Sequence, residues 1–258
     1  MAFGKKLIPF ISLLILFCGC SSTDIINSKW TDEPVPMSAQ FDDWRNKTFY
    51  VQDKSLMVGV QNDNDYLYLA LITGDRSNKM QILGRGLSVW FDKEGGKDKY
   101  FGVKFPDVQG RMFFQKTGSD ENSNNEDMIT QLLDNAKSST TIDVLGPGEN
   151  NVTKVPISDS SGINAQVDII NDVLIYKLRI PLKKDADHTY GIGINNFSSQ
   201  LGIGVETPEF KRSGNDGEHG REQGEHHGMG RGKFNGNRGN IPQQLQYWCD
   251  INLAMKKP

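Results

Sequence analysis

The chain contains 258 residues, of which 36% are hydrophobic and 24% are charged, with a formal net charge of -3. This length allows one sizeable hydrophobic core or at most two small ones. The net charge disfavours a nucleic-acid binder, because such proteins carry a basic excess on their binding face.

The first predicted element is a secretion signal. Two lysines precede an apolar run over residues 7–17, which is too short for a spanning helix of about 20 residues. The sequence FCGCSS then places Cys20 after a small residue and resembles the bacterial lipobox, in which cleavage precedes the cysteine and the thiol is acylated. We expect residues 1–19 to be a lipoprotein signal peptide and residues 20–29 a tether. An ordinary cleaved signal or an N-terminal anchor is the alternative.

This anchor would place the protein in the cell envelope of a bacterium, attached to a membrane by the acyl chains on Cys20. Removal of the signal leaves Cys249 as the one thiol that is not acylated, so we expect no disulfide. Cys249 shares its parity with the apolar residues of its predicted strand and is expected to be buried.

Apolar alternation with a period of two predicts strands along most of the chain. Residues 55–62 alternate, residues 66–73 are apolar on both parities, and the NDND sequence between them is typical of a hairpin turn. Further strands are expected at 86–92, 99–106, 140–145, 163–170, 172–181, 190–195, 201–206 and 245–253.

One helix is predicted over residues 126–137, where five apolar side chains share a face at helical spacing. Short strands with few helices indicate an all-β fold. We therefore predict an antiparallel β-sandwich with one short amphipathic helix, formed by a single domain over residues 30–258.

A glycine- and histidine-rich insertion interrupts this domain at residues 212–240, and its composition predicts disorder. His219, His226 and His227 lie in it, separated by glycines whose ordering costs entropy. Tight metal binding needs three or four ligands that are held together. We expect at most weak, opportunistic metal binding there.

The candidate ligand-binding residues surround two tryptophans on the polar parity of their predicted strands. Trp90 shares its face with Asp92, and Trp248 shares its face with Gln246 and Asp250. Sugar recognition needs a flat aromatic face for C–H groups and planar polar side chains for hydroxyls. The alternative is that a helix or loop covers both indoles and that they serve packing alone.

Four segments, at 41–44, 58–71, 86–92 and 246–254, carry a resemblance to a known family. Their sequences FDDW, VGVQNDNDYLYLAL, GLSVWFD and QYWCDINLA resemble the opening, the hairpin, the next strand and the closing strand of family 9-type carbohydrate-binding modules. The DOMON group of sugar- and haem-binding sandwiches shares this layout. The resemblance implies a β-sandwich of sugar-binding lineage.

The sequence contains no nucleophile elbow, zinc-protease motif, nucleotide loop or cysteine pair, so we predict no enzyme. The predicted function is non-catalytic binding of a carbohydrate or an envelope partner by a lipid-anchored protein, without a cofactor. One alternative is haem or metal binding, by analogy with the DOMON group, with Met57 and His188 as candidate axial ligands. Another is a structural or assembly role in the envelope.

Overall fold

The computed structural model describes residues 23–38, 41–108, 125–157, 161–186, 188–194, 200–209 and 243–256. Its strands are β1 (Asp24–Asn27), β2 (Lys29–Trp30), β3 (Thr48–Val51), β4 (Leu56–Asn62), β5 (Tyr66–Thr73), β6 (Leu87–Asp92), β7 (Phe101–Phe105), β8 (Thr141–Leu145), β9 (Val152–Pro156), β10 (Asn164–Ile170), β11 (Val173–Pro181), β12 (Gln200–Glu206) and β13 (Gln246–Asn252). Its helices are α1 (Arg76–Arg85) and α2 (Asn125–Lys137), with short 3-10 turns at Asp42–Trp44 and Gln52–Lys54.

The strands form two sheets. Sheet A has the order β1-β13-β12-β6-β7-β8-β9, and sheet B has the order β10-β11-β5-β4-β2, with β3 also paired to β4. The β1–β13 and β2–β4 pairs are parallel, and the other pairs between described strands are antiparallel. The predicted all-β sandwich is confirmed.

The main core lies between the sheets and follows the period-two alternation of the strands. β6 contributes Leu87, Val89 and Phe91, and β5 contributes Leu69 and Leu71 from the facing sheet, all of them buried. Burial of one such side chain contributes about 1.5–3 kcal/mol, so these inner faces supply most of the driving force for folding. Cys249 belongs to the same core, as predicted.

A second, smaller core covers the outer face of sheet B. Trp44 and Val35, from the segment that follows β2, pack there against Tyr68, Ala70 and Ile72. This cover explains why β5 is apolar on both parities, because both of its faces are buried.

The described residues contain a second helix in addition to the predicted one. α2 occupies the predicted range and packs against α1 and β10. α1 was missed because its sequence, RSNKMQILGR, is mostly polar. Its boundary signals are present, however: the Asp75 side chain accepts a hydrogen bond from the Asn78 amide, and Gly86 ends the helix with a φ of 77°.

The predicted tether over residues 20–29 also needs correction. Residues 24–27 form β1 at the edge of sheet A, and residues 29–30 form β2 at the edge of sheet B. Ile26 is buried in the main core, which fixes β1 against β13. The strand is too short for alternation to reveal it in the sequence.

The signal peptide, Cys20 and the whole of the glycine- and histidine-rich insertion, including its three histidines, lie outside the described residues. In the part of the chain that the structure describes, no helix has the length and apolar character needed to cross a bilayer.

Candidate functional site

The outer face of sheet A, which is turned away from the main core, carries a groove of about 800 Å³. We call it the sheet A groove. β6, β7, β8 and β12 form its floor, and its walls come from the end of α1, the start of β13 and the chain around Lys99 and Glu149.

Strand pairing arranges the outer face of sheet A in two rows that run across the sheet. Two aromatic and two small residues dominate the first row, which consists of Trp248, Gly204, Trp90, Gly102 and Leu145. The second row lies two residues along each strand, on the same face, and consists of Gln246, Glu206, Ser88, Lys104 and Asp143. All five residues of the polar row line the groove, and Trp90 and Leu145 line it from the first row.

Both indoles of the first row lie over a glycine of the neighbouring strand. A Cβ atom at Gly102 would be 2.6 Å from Cε3 of Trp90, and one at Gly204 would be 2.4 Å from Cε2 of Trp248. Any side chain at these glycines would displace the indole. Trp90 is 1% exposed and forms part of the floor, whereas Trp248 is partly exposed at the margin.

Glu206 is the centre of the polar contacts in the groove. Its Oε1 atom accepts hydrogen bonds from Nε1 of Trp90 at 2.8 Å and from Nζ of Lys99 at 2.6 Å, and its Oε2 atom accepts one from Nε2 of Gln246 at 3.4 Å. Glu206 is buried, so these donors offset the cost of holding a carboxylate away from water. The contacts tie together residues from four strand regions.

Lys99 covers the ring of Trp90, with its Nζ atom 5.6 Å from the ring centroid. The same ammonium donates to Glu149 at 2.5 Å. Burial alone would lower the pKa of Lys99, but the hydrogen bonds with Glu149 and Glu206 outweigh that effect and raise it. Lys99 is thus held as a cation above an aromatic ring.

α1, the helix that the sequence did not reveal, positions one wall of the groove. Oε1 of Gln81 accepts hydrogen bonds from Oγ1 of Thr207 at 2.9 Å and from the Leu245 amide at 3.3 Å. Its Nε2 atom donates to the carbonyl of Gln243 at 3.0 Å. One side chain therefore joins the end of β12 to the start of β13, from which Gln246 projects.

The five residues predicted to bind a ligand all lie on the outer face of sheet A, but in different environments. Trp90 and Gln246 line the groove, and Trp248 lies in the same row as Trp90, just outside the groove. Asp92 and Asp250 pair with opposite sides of Gly202, one step beyond the tryptophan row. Nothing in the strand pattern points to Glu206 or Lys99 as site residues.

The carboxylate of Asp92 is used within the chain. It accepts hydrogen bonds from the backbone amides of Glu94 at 3.1 Å and Asp98 at 3.0 Å, and so holds the turn that follows β6. Asp250 is partly buried, and its Oδ1 atom has no hydrogen-bond partner within the described ranges. In this conformation Asp92 shapes the edge of the face and does not offer free acceptors.

The geometry does not support a nucleophilic thiol at Cys249 or haem binding by Met57 and His188. Burial raises the pKa of Cys249 to about 12, so its thiol is not an activated nucleophile. Met57 pairs with Ile72, whereas the ring of His188 contacts Tyr66 at the other end of β5. Six residues of strand span about 20 Å, so Met57 and His188 cannot both bind one haem iron.

The described ranges contain no cluster of three or more histidine, cysteine or acidic side chains that could hold a metal ion. His219, His226 and His227, the predicted weak metal ligands, lie outside those ranges. Weak metal binding in the insertion therefore stays a prediction.

Comparison with known proteins gave matches only among solved structures. No protein-family model matches the chain, and no curated protein matches its sequence. The chain is similar to a family 9 carbohydrate-binding module from Caldicellulosiruptor kristjanssonii in complex with glucose, with 10% identity, coverage of 72% of this chain and 78% of that chain, and a TM-score of 0.34.

A second structure of a family 9 module from that organism, in complex with cellotriose, gives 9% identity, coverage of 91% and 95%, and a TM-score of 0.39. A proposed carbohydrate-binding protein from Bacteroides uniformis gives 7% identity, coverage of 90% and 100%, and a TM-score of 0.44. The similarity to these neighbours is distant.

Proposed function

We propose that this protein binds a carbohydrate, without catalysis, in the sheet A groove. The observation that carries the proposal is the pair of rows on the outer face of sheet A, where the indoles of Trp90, in the groove, and Trp248, beside it, lie next to a polar row centred on Glu206. A sugar presents both an apolar C–H face and hydroxyl groups, so it needs both kinds of surface within a few ångströms.

Three side chains with solvent access can contact different parts of a sugar. Trp248 is partly exposed and offers a flat ring to the C–H face of a sugar. Gln246 is exposed and can both donate to and accept from hydroxyls through its planar amide. Lys99 adds a charged donor that Glu206 and Glu149 hold in place.

The dimensions of the groove fit a short oligosaccharide. Small-molecule sites in proteins have volumes of about 300–1,000 Å³, and the sheet A groove has about 800 Å³. Its open, polar character favours a hydrated ligand over an apolar one.

Two features favour binding without catalysis. The oxygens of Glu206 already accept from Trp90, Lys99 and Gln246, so this carboxylate anchors its neighbours and is not available to deliver a proton. The buried thiol of Cys249 lies on the opposite face of sheet A, in the main core.

The test is a glycan array that presents neutral and acidic oligosaccharides, followed by calorimetric titration of the tightest binder. We expect Trp248→Ala and Gln246→Ala to weaken binding by about tenfold or more, equivalent to about 1.4 kcal/mol each. Gln166→Ala is the matched control, because Gln166 is an exposed strand glutamine on sheet B. An array without any binder, or groove variants that bind like the wild type, would reject the proposal.

A lipid anchor at Cys20 is a separate part of the proposed function, and the lipobox-like sequence supports it. The first strand begins at Asp24, only four residues later. Mass spectrometry of the mature chain is expected to find acyl groups on Cys20, and Cys20→Ala is expected to release the protein from membranes. An unmodified Cys20 would reject the anchor and leave the carbohydrate proposal standing.

A further inference from the structure

Large hydrophobic side chains are exposed around the beginning of β1. Ile25 is 56% exposed, Phe49 38% and Tyr50 58%. We call these three residues the β1–β3 patch. Asp24 and residues 49–53 line one shallow groove of about 630 Å³, so the start of β1 lies beside the two aromatic residues.

The direction of β1 shows which end of the sandwich carries this patch. β1 runs parallel to β13 from the level of Cys249 to the level of Asn252. Its N-terminal end therefore faces the end of sheet A at which β13 begins. β3 runs toward the same end and stops at Val51, opposite Leu56 at the start of β4.

The short distance to Cys20 brings this end close to any membrane that the acyl chains enter. Four residue steps separate Cys20 from Asp24 and span at most about 14 Å. The headgroup layer on each side of a bilayer is about 5–8 Å thick. An acylated Cys20 would thus hold the β1–β3 patch within reach of the membrane surface.

We propose that the β1–β3 patch contacts the membrane, at the boundary between the lipid headgroups and the acyl chains. This proposal rests on the lipid anchor and is independent of carbohydrate binding. Tyrosine suits this boundary because its ring is apolar and its hydroxyl reaches water. The acyl chains supply most of the affinity, and the patch fixes how the domain stands on the membrane. Gln246, at the start of β13, then lies toward the membrane side of the sheet A groove.

The test uses the acylated mature chain, which begins at Cys20, in vesicles of phosphatidylethanolamine and phosphatidylglycerol. A nitroxide label is attached at Tyr50→Cys, and a second preparation carries it at Ile25→Cys. Tyr100→Cys is the matched control, because Tyr100 is 64% exposed and precedes β7, which three strands of sheet A separate from β1. Cys249 is buried and will not be labelled under native conditions.

The expected result is a several-fold higher ratio of oxygen to water-soluble nickel accessibility at residues 50 and 25 than at residue 100. Equal accessibility to the nickel complex at all three positions would overturn the proposal. Protection of residue 50 from both reagents would overturn it as well, because a second copy or another protein would then cover the patch. Absence of acyl mass on Cys20 would overturn this proposal together with the anchor, but not the carbohydrate proposal.

Discussion

The outer faces of the two sheets share one packing arrangement but differ in their exposure to solvent. On sheet B, Trp44 lies over Gly59, where a Cβ atom would be 2.5 Å from Cε3 of the indole, and Nζ of Lys177 lies 6.0 Å from its ring. On sheet A, Trp90 lies over Gly102 with Lys99 above it. Each face thus carries an indole on a glycine with a lysine beside it.

The difference lies in what covers the lysine. Nζ of Lys177 donates to the carbonyls of Pro36 and Ser38 and to Oδ2 of Asp43, and its side chain is 1% exposed. The side chain of Lys99 is 29% exposed at the open groove. A tryptophan over a glycine is therefore packing on one face and a groove floor on the other, and solvent access to its polar neighbours distinguishes the two.

The pKa values of the two lysines shift in opposite directions, because burial dominates for Lys177 and neighbouring carboxylates dominate for Lys99. Burial lowers the pKa of Lys177, and Asp43 only partly offsets this. The two carboxylates around Lys99 outweigh burial and raise its pKa. On the covered face, burial destabilises the charged form of Lys177. On the open face, two carboxylates stabilise the charged form of Lys99.

The largest expected effect is on the covered face. Trp44→Ala should reduce the free energy of unfolding by about 3–5 kcal/mol, because it removes the largest side chain of the second core. Urea unfolding measures the loss, and Trp44→Phe should cost clearly less. If Trp44→Ala changed stability by less than about 1 kcal/mol, the outer face of sheet B would not be sealed by this residue.

Lys177→Met is expected to cost about 1–3 kcal/mol, because the carbonyls of Pro36 and Ser38 and the carboxylate of Asp43 lose a buried donor. The stability of this variant should also depend on pH differently from that of the wild type. The folded-state pKa of Lys177 lies below the ordinary 10.5, so the unfolded chain binds more protons between these values and the wild type gains stability as the pH rises toward 10.5. The variant should lack this gain, which urea unfolding at a series of pH values will measure. An identical pH profile would contradict the burial of this ammonium.

Glu206→Gln should act on the open face with a smaller effect on stability, about 1 kcal/mol. The amide oxygen still accepts from Trp90, but the charge that holds Lys99 is lost. Glycan affinity should fall about tenfold, equivalent to about 1.4 kcal/mol, as measured by calorimetry. Unchanged affinity in a folded variant would remove Glu206 from the binding site.

The smallest effect on stability is expected from Gln246→Ala and its control Gln166→Ala. Both residues are exposed strand glutamines, so each change should stay within about 0.5 kcal/mol of the wild type in urea unfolding. Only Gln246→Ala should weaken glycan binding. An equal loss of binding in both variants would show that the two outer faces are not functionally distinct.

The sequence allowed much of this contrast to be predicted, but not its centre. The alternation of β6 and β13 placed Trp90, Trp248 and Gln246 on one face, and the double-sided apolar pattern of β5 indicated a covered sheet. Glu206 could not be chosen, because its contact with Trp90 joins residues 116 positions apart and depends on strand order. α1 was missed because most of its side chains are polar, and β1 because four residues are too few to show alternation, although both are fixed by tertiary contacts.

The most direct test of the contrast is an NMR titration of the four indole Nε1–H signals with the array glycan that binds most tightly. The signals of Trp90 and Trp248 are expected to shift with the bound fraction, while those of Trp30 and Trp44 stay in place. A shift of the Trp44 signal with no change at Trp90 and Trp248 would contradict the proposal that the open face of sheet A is the binding surface.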